Sequence, residues 1–191
     1  MFEIVVVCTG NRNRSPIAEA ALKEATQGLP VSVSSAGLLD LGEAPALPET
    51  LEVAAKIGLD ISSHRSCCLV NVDLTEADLV LGLEWEHVAT AVVDHRAPAD
   101  RSFTLLELAE LLDDFDDPED QDPEDQDPEE RARALVSLAA ASKRASGRPA
   151  MGASVPDPFG GPMQGYADMA EAVRATAHRI AARLFALSRL P

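Results

Sequence analysis

Aromatic residues are scarce in this chain. Its 191 positions hold one tryptophan, one tyrosine and five phenylalanines. A core built on stacked rings is excluded. Because 46% of the residues are apolar, the interior must be assembled from Val, Leu, Ile and Ala. The length suits one domain with a full-sized core. Long apolar runs are absent too. None approaches the ~20 residues that span a bilayer, so no membrane partner is expected. The opening MFEIVVVCTG carries an acid and no base, which is not the pattern of a signal peptide. Cysteine is limited to Cys8, Cys67 and Cys68. An odd, sparse set makes no disulfide framework. It fits a reducing, cytoplasmic setting, where a single cysteine is kept for chemistry more often than for stapling.

Basic residues are missing from one stretch altogether. Residues 113–130, DDFDDPEDQDPEDQDPEE, contain twelve acids and no Lys or Arg, three quarters of the formal net charge of −16. The acidity therefore belongs to an insert, and it argues against nucleic acid as a partner. Prolines and like-charge repulsion favour an extended, mobile segment without a catalytic role, set within a single domain over 1–191.

What is present alternates. EIVVV (3–7) reads as a buried strand, followed by a helix that Ser15 and Pro16 open and that runs to about Gln27. VSVSSAG (31–37) and ADLVLGL (77–83) read as strands, and RSFT (101–104) as a short fourth. Helical patterns cover 47–60, closed by Gly58, and then 84–93, 105–112, 131–144 and 166–190. The last carries an apolar stripe at Met169, Val173, Ala177, Ile180, Leu184 and Leu187. Alternation of this kind implies an α/β fold: a central parallel sheet of about four strands with helices on both faces. Ligands of such sheets bind beyond the carboxyl ends of the strands. Cys8 lies at one of those ends.

The segment CTGNRNRS (8–15) concentrates unusual chemistry. Gly10 and the two asparagines tolerate positive φ. The loop can therefore curl until its backbone N–H groups converge as an anion nest, with the N-terminus of the next helix behind it. Arg14 can return over the nest and grip two oxygens of a tetrahedral oxyanion. Nest, helix and arginine together favour the thiolate of Cys8. A thiolate beneath a phosphoryl group is a nucleophile aimed at phosphorus. A lone cysteine ending a strand is usually a small buried hydrophobe. Here the strand before it, the glycine within and the Ser-Pro after it outweigh that alternative. No Gly-Lys-Ser/Thr follows, which excludes the Walker-type phosphate loop. No metal or cofactor is called for.

VCTGNRNRSPIAEA resembles the signature of the low-molecular-weight protein tyrosine phosphatases. SSAG (34–37), GLDISSHRS (58–66), ADLVLGLE (77–84) and VPDPFGG (155–161) resemble later blocks of that family in the expected order. The resemblance implies a hydrolase acting on phosphotyrosine-type phosphomonoesters of a phosphorylated protein, as a monomer or weak dimer. It implies roles as well. Cys8 would be the nucleophile, Arg14 the clamp and Asp157 the general acid and base. Thr9, Gly10, Asn11, Arg12, Asn13 and Phe159 would border the substrate, and Ser15 would assist the thiolate. Ser35 and His64 would support a strained left-handed turn at Asn11. Glu84 would lie on the active face.

The chain also departs from that family. Asn13 stands where many members carry a second loop cysteine. Phe159 and Gly160 stand where many carry tyrosines. Leu41 takes a pocket-rim position that is often aromatic, and Arg12 on the rim would favour acidic residues near the phosphorylated one. Two alternatives remain open. A thiol-dependent arsenate reductase shares the cysteine loop but needs resolving thiols, for which only the adjacent Cys67 and Cys68 are candidates. The other is a phospho-ligand binding protein without turnover.

Overall fold

The computed structural model describes residues 1–115, 127–146 and 154–187. Four strands, β1 (Phe2–Cys8), β2 (Val31–Gly37), β3 (Leu79–Gly82) and β4 (Ser102–Thr104), form one sheet in the order β2-β1-β3-β4. Every pairing is parallel. Six helices accompany them among the described residues: α1 (Arg14–Ala25), α2 (Pro48–Lys56), α3 (Trp85–His95), α4 (Leu105–Asp113), α5 (Pro128–Ser146) and α6 (Met163–Phe185).

β1 is central and apolar on both faces, as a strand covered on both sides must be. Its alternation divides the interior. Phe2, Ile4, Val6 and Cys8 join the larger core, with Ile17 of α1, Leu108 of α4 and Val173 of α6. Val5 and Val7 turn the other way, onto a smaller core that includes Ala91 of α3. After β1 the chain goes to β2 on one side, and later to β3 on the other. The sheet order thus reverses around the carboxyl end of β1, where parallel sheets open a crevice.

The sequence expectations differ from the structure mainly at helix ends. α1 starts at Arg14 with Asn13 before it, and no side chain caps it. The Ser15 hydroxyl is engaged by Cys8 instead. α6 starts at Met163 and stops at Phe185, where Ala186 turns left-handed at φ 50°. Met169, Val173, Ala177, Ile180 and Leu184 are buried as the stripe requires, but Leu187 packs on the core from beyond the helix. The acidic stretch is more ordered at its edges than its composition suggests. Asp113 closes α4, Phe115 packs against the core, and Pro128 opens α5 with Glu129 and Glu130 in its first turn. Acids there complement the helix dipole. The rest of the expected insert, 116–126, lies outside the described residues. At the start of α5, Arg133 pairs with Asp78 just before β3 (2.9 Å) and lies over the ring of Phe2 (5.8 Å). No described helix is long and apolar enough to cross a membrane.

Candidate active site

The loop from Cys8 to Ser15 is folded back against β2. Cys8 pairs in register with Gly37. The next N–H groups of that strand's exit, at Leu38 and Leu39, donate to the carbonyls of Cys8 (3.0 Å) and Thr9 (2.9 Å). A Cβ at Gly37 would lie 2.9 Å from the Asn11 nitrogen, so only glycine lets the loop curl this tightly. Asn11 itself takes φ 50°, a left-handed conformation that costs on the order of 1–3 kcal/mol outside glycine. Its amide Nδ2 donates to Ser15 Oγ (2.9 Å) and Ser35 Oγ (2.7 Å). Its Oδ1 accepts from the Cys67 N–H (2.8 Å), and its backbone carbonyl accepts from His64 Nε2 (2.7 Å). Ser35 in turn donates to Glu19 (2.5 Å). These bonds hold the strained turn.

Cys8 sits at the bottom, 2% exposed. Its Sγ accepts from the Asn11 N–H (3.3 Å) and lies 2.9 Å from Ser15 Oγ. Above it, Arg14 is 1% exposed. A buried charge must be paired. Here Nη1 meets the Glu84 carboxylate and the Val155 carbonyl (3.0 Å), while Nη2 donates to Asp157 Oδ2 (2.8 Å) and Thr9 Oγ1 (3.2 Å). Arg14 Nε is buried and makes no hydrogen bond.

Asp157 comes from the segment before α6, which is attached to β3's exit through the Val155 N–H and the Leu83 carbonyl (2.8 Å). Its Oδ1 accepts from Asn13 Nδ2 (3.0 Å) and from the Phe159 N–H (3.2 Å). Behind Asn13, the buried Thr50 hydroxyl donates to Asn13 Oδ1 (2.8 Å). A cleft of about 330 Å³ opens over these groups. Cys8, Thr9, Gly10 and Asp157 line its floor and wall, with Leu39, Leu41, Leu47 and Phe159 as its apolar part. Arg12 also borders it, with Nε on the Pro45 carbonyl (2.7 Å). A second hollow of about 280 Å³, between α1 and the 58–64 segment, has none of Cys8, Arg14 or Asp157 in its wall.

Every site residue expected from the sequence thus meets at one end of the sheet. His87 was not among them. Its Nδ1 accepts from the Glu84 N–H (3.0 Å), so Nε2 carries the proton and donates to Thr9 Oγ1 (3.0 Å). Burial, and then the nearby Arg14 charge, push its pKa down to about 4. Only its position one turn into α3, after Glu84, could have signalled it. Thr50 gave no sequence signal. Cys67 gives its N–H to Asn11, and burial followed by Cys68 pushes its thiol pKa up.

A buried thiol held by the Asn11 N–H and the Ser15 hydroxyl, overhung by an arginine fork at the mouth of a parallel α/β sheet, defines a cysteine-dependent phosphatase. The chain belongs to the low molecular weight phosphotyrosine protein phosphatase family, whose sequence profile matches residues 3–143. Over 115 residues it is 40% identical to the probable low molecular weight protein-tyrosine-phosphatase EpsP of Ralstonia solanacearum, covering 60% of this chain and 77% of that one. It is 34% identical over 108 residues to a protein-arginine-phosphatase of Bacillus subtilis, covering 56% and 71% of the two chains. The solved low molecular weight protein tyrosine phosphatase from T. tengcongensis superposes with a TM-score of 0.65 at 27% identity, over 94% of this chain and 97% of that one. The protein is a hydrolase.

Proposed function

We propose that the protein dephosphorylates phosphotyrosine-type residues of proteins through a phosphocysteine on Cys8. The observation that carries this is Arg14: a buried guanidinium in the wall of the Cys8 cleft whose Nε has no partner. Nε and Nη2 form one edge of the fork that grips two phosphoryl oxygens. The Cys8 thiolate attacks phosphorus, the P–O bond breaks, and the leaving oxygen takes a proton from Asp157. Loop N–H groups and Arg14 hold the three equatorial oxygens in the transition state. Water then attacks the phosphocysteine, giving a proton back to Asp157, and the thiolate departs with a hydrogen bond from Ser15. Ser35 and His64 serve by holding Asn11, and Glu84 by holding Arg14.

The cleft's apolar part, Leu39, Leu41, Leu47 and Phe159, suits a phenyl ring. Phosphoarginine would also present a phosphoryl group, but it would bring a second guanidinium beside Arg12. That like charge favours phosphotyrosine, and Arg12 adds a preference for acidic neighbours. The raised thiol pKa of Cys67 lowers its thiolate fraction and weighs against a resolving role in arsenate reduction. Sparse cysteine usage supports a cytoplasmic setting. Rapid-quench mass spectrometry with phosphotyrosyl peptide should trap phosphate on Cys8. Cys8→Ser should still bind phosphate but not turn over. Appreciable hydrolysis by Cys8→Ser, faster turnover of phosphoarginyl peptide, or thioredoxin-coupled arsenate reduction would each overturn the corresponding part.

A further inference from the structure

We infer that Asn13 is a positioning residue for Asp157, and that it selects Oδ2 as the carboxyl oxygen that passes the proton. The inference rests on the acid role proposed for Asp157. Asn13 immediately precedes α1, yet its side chain makes no capping hydrogen bond to that helix. It is 6% exposed, and its two amide ends are committed in opposite directions. Oδ1 accepts from the fully buried Thr50 hydroxyl at 2.8 Å, and Nδ2 donates to Asp157 Oδ1 at 3.0 Å. A flipped amide would set its carbonyl oxygen against the carboxylate. The Thr50 bond and the Asp157 bond therefore fix one orientation between them.

The two oxygens of Asp157 are not equivalent as a result. Oδ1 receives two neutral N–H donors, from Asn13 and from the Phe159 backbone. Oδ2 receives one, from Arg14 Nη2. Both hydrogens of that nitrogen are in use, on Asp157 and on Thr9. Gripping a phosphoryl oxygen with Nη2 must release one of them; Asp157, protonated as an acid must be, is a neutral and weaker acceptor than a carboxylate, so its bond is the one that yields. Oδ2 is then the freed oxygen, able to carry a proton, while Oδ1 stays pinned. In the first step the Oδ2–H bond breaks, a new O–H bond forms on the leaving group, and the P–O electron pair goes to that same oxygen. Asn13 never touches the transferred proton. It fixes where the carboxyl presents it.

A leaving-group series tests this. Asn13→Ala should lose on the order of tenfold in kcat on phenyl phosphate and several-fold less on dinitrophenyl phosphate, whose leaving group needs little protonation. KM should move little. Thr50→Val should show the same pattern more weakly, and Thr50→Ser, which keeps the hydroxyl, should restore it. Asn13→Ala placed on Asp157→Ala should add almost nothing. Equal losses across the series, a loss confined to KM, or full additivity with Asp157→Ala would overturn the inference. Melting temperatures and phosphate protection of each variant identify misfolding, and the Thr50 pair keeps the question decidable if Asn13→Ala does not fold. A flat leaving-group response in Asp157→Ala itself would instead overturn the acid role beneath it.

Discussion

The segments that carry Cys8 and Asp157 are held in opposite ways. Cys8 sits in a loop whose polar groups are tied inward, with Asn11 alone making four side-chain and carbonyl hydrogen bonds to Ser15, Ser35, Cys67 and His64. Asp157 sits in a segment joined to the sheet by one backbone bond at Val155, with Phe159 72% exposed beside it. Cys8 is fixed by its own loop. Asp157 is held chiefly by Arg14 and Asn13, which belong to that loop. Rigidity is concentrated where a strained backbone must be kept, and Asp157 borrows it.

On that contrast, damage to the fixed half should cost every substrate alike. Arg14→Lys should lower kcat/KM by on the order of 10²-fold or more for all leaving groups, because a point charge cannot hold two equatorial oxygens. Steady-state kinetics with good and poor leaving groups checks this, and a loss limited to poor ones would put Arg14 on the acid's side. Damage to the borrowed half should be selective. Asp157→Ala should slow phenyl phosphate by roughly 10–10²-fold and strongly acidic aryl phosphates much less. Equal losses would erase the distinction between the two halves.

His87 sharpens the contrast from the stability side, since it braces Thr9 and Glu84 within the fixed half. Its folded pKa of about 4 lies below the ordinary value of 6.5. The unfolded chain therefore takes up this proton first as pH falls. Its contribution is fully present above pH 6.5 and is lost as pH drops toward about 4. His87→Gln, which cannot titrate, should show a shallower fall in melting temperature across that window, and an unchanged slope would count against a buried neutral imidazole. The smallest effect should come from the acidic stretch. Replacing 116–126 by a short Gly/Ser linker should leave small-substrate turnover nearly unchanged, because loop length contributes only about 0.6 kcal/mol per doubling. A several-fold change in kcat would join that stretch to the site.

The cysteine loop was legible in the sequence because its logic is local. A β-branched run, a Gly/Asn turn and Ser-Pro follow one another within fifteen residues, and β1 and β2 fall where the pattern puts them. The fate of Ser15 was not legible. A serine before proline looks like a cap until a thiol competes for its hydroxyl. His87, Thr50 and the Asn13–Asp157 bond join positions far apart in the chain, the last separated by 144 residues. No periodicity encodes them; they exist only once α2, α3 and the segment before α6 have docked around the loop.

Arg133 gives the molecule a second pole. By pairing with Asp78 and covering Phe2, it places the start of α5 at the entry ends of β3 and β1. Arg183 donates to the Leu112 carbonyl (2.9 Å) and brings the close of α4 to the same region as the end of α6. The seven residues of β1 then separate that pole from Cys8 by about 20 Å. Asp113, which closes α4, and Pro128, which opens α5, therefore lie at the end of the sheet opposite Cys8. An insertion, a tether or a fused module rooted there is spaced from Cys8 by the full length of the central strand.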